Sequence, residues 1–492
     1  MCMGTLFKNG TVITASDMVK ADVLVEGEVV SLIGRDIPAA SHTVVDCTGK
    51  YLMPGGIDVH THLDLPFGGT DSNDDFESGH IAAAFGGTTG HIDFVIQPKG
   101  GSLADGLKIW RKKAEIACVD YGFHLAITDL RQDVLEEIPS LIHEGVTSLK
   151  LFMAYKNVFM VDDTTLFKAM QVAAKHGMIV MVHAENGDVE AQLTPQLVAA
   201  GKTDPKYHAS SRPPEIEGEA TNRAVMMAGL TGCALYVVHM TCEPAIQALQ
   251  RGRALGYPVM GETCTQYLFL TVEEHLAAPG FEGAKFVCSP PIRTKHDQEV
   301  LWKALRDSTL QIVSTDHCDF WYEGGKGPWQ EWHQKHGGNW VGFEAQDPSY
   351  RRPGKELGKG NFAKIPNGMP GLEDRMMVMW HHGVNGGRFS PSRFVELNCT
   401  NPARVFGMYP RKGTIAVGAD ADIVVWDPNK EHTISAKTHH MRVDYNVYEG
   451  MRVRGVPVQV YLRGKKIVDG DKWVGEKGKG QFIPRSPHAP VL

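Results

Sequence analysis

The chain has 492 residues, and its hydrophobic (42%) and charged (22%) fractions are typical of soluble globular proteins. These values exclude a fibrous or largely disordered chain, and the length predicts a large domain with a smaller companion. The formal net charge of −7, without any long Lys/Arg block, excludes an extended basic surface for nucleic acid or anionic lipid.

The amino-terminal residues lack the basic flank and apolar stretch of a signal peptide, and no apolar run reaches membrane-spanning length. The nine cysteines include no CxxC pair, which favours reduced thiols over a disulfide framework. We therefore expect a cytoplasmic protein that does not interact with a membrane.

Short strands separated by turns are predicted at both ends of the chain. They cover residues 10–14, 21–25, 29–33 and 43–46 near the start, and residues 413–415, 421–426, 456–462 and 466–468 near the end. We expect these segments, residues 1–55 and 406–470, to pair in one small β-sandwich domain. The Gly- and Pro-rich tail, residues 471–492, predicts an extended arm, and another subunit is one candidate surface for it.

The central segment, residues 56–405, alternates compact apolar strands with helical stretches such as residues 164–175 and 219–230. About eight candidate strands end in polar residues, at residues 56–62, 90–97, 123–128, 148–155, 179–185, 235–241, 258–265 and 311–316. This α/β pattern predicts a (β/α)8 TIM-like barrel, with catalytic groups at the carboxyl ends of its strands. A doubly wound open sheet is the alternative, although no GxGxxG loop follows the first strand.

Residues 320–361 form an unusually long predicted loop that carries Trp321, Trp329, Trp332 and Trp340. Because this loop follows the eighth strand, it leaves the barrel from the face that carries the catalytic groups. One hypothesis is an aromatic lid that reshapes the substrate range. The alternative is a packed surface loop or a contact between subunits.

Potential metal ligands close several of the predicted strands. His60-Thr61-His62 ends the first strand, where side chains two residues apart point the same way, and His183, His239 and Asp316 end three others. Taken alone, each histidine would be read as a hydrogen-bonded core residue. Together, imidazoles and a carboxylate on one face suit zinc or a similar divalent cation, with a position open for water.

Lys150 lies within the apolar strand of residues 148–152. A buried ammonium is costly and cannot bind a metal, but desolvation lowers the pKa of a lysine and frees its neutral amine. Reaction of that amine with carbon dioxide would give a carbamate whose two oxygens can bridge two cations. The alternative is a lysine that extends to solvent or pairs with a carboxylate.

Longer motifs run nearly from one end of the chain to the other. They are Met53-Pro54-Gly55-Gly56-Ile57-Asp58-Val59-His60-Thr61-His62, Gly145-Val146-Thr147-Ser148-Leu149-Lys150, Ser211-Arg212-Pro213-Pro214-Glu215, Gly218-Glu219-Ala220-Thr221, Gly261-Glu262-Thr263, Cys288-Ser289-Pro290-Pro291, Ser314-Thr315-Asp316-His317-Cys318 and Pro366-Asn367-Gly368-Met369-Pro370. In these motifs the chain resembles the dihydropyrimidinase and hydantoinase family of the amidohydrolase superfamily.

The resemblance implies a (β/α)8 barrel, a β-sandwich built from both termini, a homotetramer and a centre of two divalent metal ions, expected to be Zn²⁺. It assigns His60, His62 and Asp316 to the first metal and His183 and His239 to the second. It assigns Lys150, as N6-carboxylysine formed with CO2, to both metals. All six positions are intact.

The implied reaction is hydrolytic ring opening of a small cyclic ureide or amide, a hydantoin or a 5,6-dihydropyrimidine, to an N-carbamoyl amino acid. A metal-bridging hydroxide attacks the ring carbonyl, and Asp316 shuttles the proton to the leaving nitrogen. Tyr155 matches the tyrosine that binds the oxyanion, and a structural tyrosine is the alternative.

Further positions match residues that contact the substrate in the family. Ser289 and Asn367 match positions whose backbone groups hold the ring, although from sequence either could be a turn residue. Four apolar residues match positions that contact the exocyclic substituent, with plain core packing as the alternative: Leu63, Leu65, Phe152 and Phe159.

Particular residues bear on the alternative functions of this chain. Dihydroorotase shares the HxH motif and the lysine, but it has an arginine for the substrate carboxylate where this chain continues with Leu63-Asp64-Leu65-Pro66-Phe67. Allantoinase and cyclic-imide hydrolase stay open as alternatives, although the apolar residues disfavour the polar ureido arm of allantoin. The non-enzyme alternative, a dihydropyrimidinase-related scaffolding protein, has lost metal ligands that this chain keeps.

Overall fold

Eight parallel strands form the centre of the protein in the computed structural model, which describes residues 4–39, 42–324 and 352–487. The strands are Gly56–Thr61, Thr88–Ile96, Asp120–Ala126, Ser148–Phe152, Ile179–His183, Ala234–Val237, Val259–Cys264 and Ile312–Ser314. Each strand pairs with the next along the chain. The first and eighth strands meet through a bridge between Thr61 and His317 and a hydrogen bond of 2.8 Å from His62 N to His317 O. The predicted (β/α)8 TIM-like barrel is confirmed.

Helices follow the barrel strands in the order that a βα repeat requires. Their bounds are Ser78–Phe85, Leu103–Lys113, Gln132–Glu137, Asp163–Lys175, Gly187–Ala199, Tyr207–Ser211, Pro214–Thr231, Glu243–Ala254, Thr265–Phe269, Lys295–Arg306, Arg375–Met379, Pro391–Val395 and Asn401–Val405. Capping residues start several of them: Ser102 and Thr294 close capping boxes, and Asp162 accepts a hydrogen bond from Thr165 N. Within the described residues, no helix combines the length and apolar character needed to cross a membrane.

Two further sheets are built near the ends of the chain, one from amino-terminal strands alone and one from strands of both ends. One contains Val29–Gly34, Asp22–Glu26, Thr5–Lys8 and Thr43–Asp46, in that spatial order. The other contains Lys472–Trp473, Lys465–Asp469, Arg452–Leu462, Ile423–Thr433, Tyr51–Pro54, Thr11–Ile13 and Met18–Lys20. Side chains of both sheets share one buried cluster, where the rings of Phe7 and Tyr461 meet edge to face at 4.8 Å. The terminal segments therefore form the predicted sandwich, while the domain boundaries given above stay a prediction.

The carboxyl-terminal tail lies on the barrel of its own chain. Ile483 N donates to Tyr121 O at 2.7 Å, and Tyr121 N donates to Gln481 O at 2.9 Å. Arg485 N donates to Gly145 O at 3.0 Å. Tyr121 and Gly145 stand at or before the amino-terminal ends of barrel strands, so the tail covers the face opposite the predicted site. As far as residue 487, the backbone of the tail finds partners on its own barrel, and a contact of the arm with another subunit stays a prediction.

Most of the long loop after the eighth strand, residues 325–351 with Trp329, Trp332 and Trp340, lies outside the described residues. The two ends of this loop are joined by backbone contacts. Lys355 N donates to Trp321 O at 2.7 Å, and the indole of Trp321 is buried. The hypothesis of an aromatic lid therefore stays a prediction.

A buried lysine joins the barrel to the sandwich. The Lys412 ammonium lies 2.6 Å from Asp120, 2.9 Å from Asp420 and 2.7 Å from Asp422, and its side chain is 4% exposed. Asp120 begins the third barrel strand, whereas Asp422 directly precedes a sandwich strand. Arg463 also pairs with Asp120. Arg411 pairs with Asp420 at 3.0 Å, so three buried carboxylates depend on three cations, of which Lys412 is the one that contacts all three.

Replacing Lys412 with methionine should destabilise the protein strongly. The change keeps the side-chain volume but leaves buried carboxylates without their central cation, which costs about 3–5 kcal/mol. Urea unfolding followed by circular dichroism should show a clearly lower midpoint. The exposed Lys430→Met substitution is the matched control and should shift the free energy of unfolding by less than about 0.5 kcal/mol. Equal midpoints for the two variants would contradict this account.

Candidate active site

One cavity at the carboxyl ends of the barrel strands contains nearly all the predicted site residues. The six predicted metal ligands, the two predicted ring contacts and the predicted oxyanion donor all line it: His60, His62, Lys150, His183, His239, Asp316, Ser289, Asn367 and Tyr155. These residues come from separate strands and loops, and the parallel barrel brings them together at one face.

Two of these residues, which were predicted at strand ends, lie beyond the ends of their strands. The sixth strand ends at Val237 and the eighth at Ser314, so His239 and Asp316 each follow their strand by two residues. Both have a left-handed backbone, with φ values of 40° and 51°. That conformation costs about 1–3 kcal/mol in residues other than glycine, and it persists where the surrounding structure imposes it. Both side chains nevertheless reach the cavity.

Asp316 lies between the two histidines of the HxH motif. Its Oδ1 atom is 3.0 Å from His60 Nε2 and 3.2 Å from His62 Nε2. The ring centroids of His60 and His239 are 5.3 Å apart, and those of His183 and His239 are 4.6 Å apart. The four imidazoles and one carboxylate therefore form a continuous cluster.

The charges around this cluster shift the pKa values of its two HxH histidines in opposite directions. Burial lowers the pKa of His60, but the carboxylates of Asp316 and Glu262 outweigh that effect and raise it to about 9. Burial lowers the pKa of His62 to about 4, although Asp316 opposes the shift. Burial also opposes ionisation of Asp316, but His60 and His62 hold its pKa well below the usual range. Asp316 is therefore a carboxylate at neutral pH.

Lys150 is fully buried beside aromatic rings. Its Nζ atom lies 4.9 Å from the centre of the Phe94 ring and 5.1 Å from that of Phe152. Burial lowers the pKa of this amine to about 7, against the attraction of Asp316 and Glu262. The structure thus has the apolar lysine environment that the sequence predicts.

The donor set fits divalent cations. Ligand atoms of His60, His239 and Asp316 lie within 4.8 Å of one another, near enough to surround a single cation. Within the described part of the chain, the Nδ1 atom of buried His62 has no hydrogen-bond partner. A buried imidazole nitrogen without a partner is unfavourable, and a cation bound to its lone pair would remove that cost.

Two glutamates behind the histidines were assigned no role from the sequence. Glu262 accepts from His60 Nδ1 at 2.5 Å and from the Tyr236 hydroxyl at 2.9 Å. Glu185 lies 2.8 Å from His183 Nε2, which leaves Nδ1 of that ring for a cation. Glu262 stands in a quoted motif, and Glu185 follows His183 by two residues, so both were visible as polar residues at strand ends. Their contacts with imidazoles could not be read from the sequence.

The apolar side of the cavity is formed by Leu65, Phe152 and Phe159, as predicted, and by two residues that sequence reasoning missed, Phe67 and Ile96. The rings of Phe67 and Phe159 stack with centroids 5.9 Å apart. Phe67 belongs to a short hairpin of Pro66–Phe67 and Thr70–Asp71. That hairpin follows the HxH motif. In the sequence, the turn of the hairpin was the feature that could have indicated Phe67.

The structure does not agree with the prediction that Leu63 contacts the exocyclic substituent. Its side chain is fully buried in the main hydrophobic core and does not line the cavity. It packs against Gly79, where an added Cβ would lie 2.6 Å from Leu63 Cδ2. Its backbone N–H donates to buried Asp93. The chain therefore turns Leu63 away from the cavity while Leu65, two residues later, reaches it.

Lys355, buried like Lys150 and Lys412, lies behind the segments that carry the predicted ring contacts Ser289 and Asn367. The Lys355 ammonium donates to the carbonyls of Val287, Pro366 and Gly368, at 2.8, 2.8 and 2.7 Å. Pro366 and Gly368 flank Asn367, and Val287 stands two residues before Ser289. The Asn367 amide in turn donates to the Ser289 hydroxyl at 3.0 Å. Lys355 therefore fixes two backbone segments that are distant in sequence.

Comparison with known proteins agrees with this geometry. The amidohydrolase family model matches residues 51–467. The chain belongs to the amidohydrolase family. The predicted family and the predicted enzyme class are thereby confirmed.

Relatives in this family cover the whole chain. The D-hydantoinase of Geobacillus stearothermophilus is 48% identical over 492 residues, covering 100% of this chain and 98% of the relative. The dihydropyrimidinase of Rattus norvegicus is 38% identical, covering 99% and 90%. The crystal structure of dihydropyrimidinase from Brevibacillus agri superposes with a TM-score of 0.92 at 49% identity, covering 99% and 100%.

Glu262→Gln should weaken metal binding. The amide keeps the shape of the side chain but removes the charge that orients His60 Nδ1, and such losses reduce metal affinity or activity about 10- to 100-fold. Metal competition titration and kcat/KM would measure the effect. Glu243→Gln, at an exposed helix start, is the control and should leave both quantities unchanged. Unchanged metal affinity in Glu262→Gln would show that the contact does not support the ligand.

Proposed function

We propose that this enzyme opens the ring of a small cyclic ureide or amide, a hydantoin or a 5,6-dihydropyrimidine, to an N-carbamoyl amino acid. One observation carries the proposal: a cluster of imidazoles, Asp316 and Lys150 lines one cavity together with Tyr155 and the aromatic side chains of Phe67, Phe152 and Phe159. The names of the relatives, D-hydantoinase and dihydropyrimidinase, support the same chemistry.

We propose that the site holds two divalent cations, zinc in the simplest case. His60, His62 and Asp316 would hold one, His183 and His239 the other, and Lys150, carboxylated with CO2, would hold both. When bound, the cations would lower the pKa of a water and polarise the ring carbonyl.

Asp316 and Tyr155 do the remaining proton chemistry. Asp316 is ionised at neutral pH, so it can take a proton from the attacking water and deliver it to the leaving ring nitrogen. Burial raises the pKa of Tyr155 well above its usual value, so the phenol keeps its proton and donates it as a hydrogen bond to the tetrahedral oxyanion.

Other residues position the ring and exclude water. Backbone groups of Ser289 and Asn367 bind the ring amide, while Leu65, Phe152 and Phe159 contact the exocyclic substituent. An aromatic wall disfavours the polar arm of allantoin, which would lose hydrogen bonds to water on burial. Cytoplasmic location and assembly as a homotetramer stay predictions.

A comparison of ring substrates tests the proposal. Zinc-loaded protein should open phenylhydantoin or dihydrouracil, and kcat/KM for allantoin should be at least ~10-fold lower, because a polar arm buried without partners costs about 1–3 kcal/mol. A simple cyclic imide is the fourth ring compared. Product formation is followed by chromatography.

Metal content is the control for this comparison. Chelation should abolish turnover, and two equivalents of zinc per subunit should restore it. Turnover of none of the four rings by the reloaded protein would refute the hydrolase function. Allantoin as the fastest substrate would favour the allantoinase alternative.

Phe159→Ala should change substrate preference more than overall stability. The substitution opens space beside Phe67 and Phe152, so kcat/KM for phenylhydantoin should fall about 10-fold relative to unsubstituted hydantoin. Steady-state kinetics on both rings gives the ratio. The exposed Leu230→Ala variant should keep the wild-type ratio. The same ratio in Phe159→Ala would remove Phe159 from the specificity wall.

A further inference from the structure

Lys355 is a buried cation whose hydrogen-bond partners are all backbone carbonyls. Its Nζ atom donates to the oxygens of Val287, Pro366 and Gly368 at 2.8, 2.8 and 2.7 Å. Within the residues that the structure describes, no carboxylate pairs with this ammonium. A buried charge is costly unless its hydrogen bonds are satisfied, and here every N–H donor of the side chain has an acceptor.

The number of acceptors determines the protonation state of Lys355. A neutral amine has two N–H donors, whereas three carbonyl oxygens at hydrogen-bond distance require three. Burial opposes the charge and lowers the pKa of Lys355 to about 7. The three carbonyls favour the ammonium against this effect. Lys355 is therefore a cation in the arrangement that the structure shows.

One of the three carbonyls belongs to the peptide unit that carries the Asn367 N–H. The Pro366 C=O and the Asn367 N–H are the two ends of a single amide, so a cation at the oxygen draws electrons from the nitrogen. The N–H becomes a stronger donor, because hydrogen bonds in a chain polarise one another. Hydrogen bonds from a charged donor have this effect most, since they are about twice as strong as neutral ones.

The Asn367 N–H is available to a ligand. Asn367 lines the cavity together with the predicted metal ligands. Within the described chain its N–H donates to no protein group, although neighbouring amides are used. Gly368 N donates to Val287 O at 3.0 Å, and Cys318 N donates to Met369 O at 3.2 Å. The segment is thus held in place around one polarised donor that has no partner in the protein.

We propose that Lys355 is a positioning residue for ring binding, which fixes the Pro366–Asn367 peptide and strengthens its N–H as a donor to the ring carbonyl that is not attacked. The inference rests on the proposed function, which places backbone groups of Ser289 and Asn367 against the ring. Lys355 itself does not line the cavity, so it acts through the peptide alone. No covalent step is involved.

The effect of Lys355 should appear in KM. A contact with the carbonyl that is not attacked is present in the bound substrate and in the transition state alike, so its loss raises KM and leaves kcat nearly unchanged. Lys355→Met keeps an unbranched side chain but removes the charge and all three donors. It should raise KM for phenylhydantoin about 10-fold, the size of one net hydrogen bond, and change kcat less than about twofold.

Steady-state kinetics on the zinc-loaded enzyme gives both constants. Lys359→Met, at an exposed position of the same segment, is the matched control and should keep the wild-type KM. Lys355→Gln keeps two N–H donors without the charge and should give an intermediate KM, and it takes the place of Lys355→Met if the methionine variant does not fold. A lysine that served stability alone would lower the midpoint of unfolding and leave the KM of the folded enzyme unchanged. That result, or a fall in kcat at unchanged KM, would overturn the inference.

A second measurement detects the Asn367 amide itself and does not depend on turnover. The chain has two Pro–Asn peptide bonds, Pro366–Asn367 and Pro428–Asn429, so ¹³C at the proline carbonyls and ¹⁵N in asparagine select two amide signals. The loss of one signal in Asn429→Ser assigns the pair. In the zinc-loaded enzyme without ligand, the Asn367 proton should move upfield in Lys355→Met, because the proton of a less polarised amide is more shielded. The Asn429 signal should stay in place.

Titration with 2-imidazolidinone separates a failure of this inference from a failure of the proposed function. This cyclic urea has the carbonyl that is not attacked and lacks the amide carbonyl at which the ring opens. It should move the Asn367 signal downfield in wild type and less so in Lys355→Met. An Asn367 signal that does not respond to the ligand, or does not respond to Lys355→Met, would overturn the inference even if the enzyme opens hydantoins. Both responses in a protein that opens no ring would overturn the proposed function and keep the role of Lys355 in ring binding.

Discussion

The structure depends on the burial of many ionisable groups in one small volume at the carboxyl ends of the barrel strands. Burial lowers the pKa of Lys150 to about 7 and penalises the charges on His60 and Asp316. Each of these groups therefore needs a partner of suitable charge or a cation. The eight-stranded barrel meets that need because it directs side chains from separate strands to one point, which no single strand or helix can do.

A layer of supporting contacts keeps this cluster in place. Glu262 orients His60, Lys355 ties the segments of Ser289 and Asn367 together, and the left-handed backbone at Asp316 persists only within such a framework. The opposite end of the barrel also contains buried charges that are paired with one another. There Lys412 joins the barrel to the sandwich, and the tail covers the amino-terminal strand ends.

Much of the fold and most of the site could be predicted from the sequence, for local reasons. Apolar strands alternating with helices indicate a barrel, and His60, Lys150 and His183 are polar residues within or at the end of such strands. The contact with the substrate that the family resemblance implied for Leu63 was wrong, because Leu63 lies beyond the strand end at Thr61 and its side chain is buried in the core. Once the chain turns at Thr61, only packing decides which side chain reaches the cavity, and Leu63 packs against Gly79.

By itself the sequence determined which chemical groups are available and roughly where each strand ends, because hydrophobic periodicity and residue type are local properties. Tertiary structure alone decided what those groups touch. The contact of Glu262 with His60 joins residues 202 positions apart, and that of Arg212 with Ser289 joins residues 77 apart. Such contacts depend on the closure of the barrel and the paths of its loops, and no spacing along the chain encodes them.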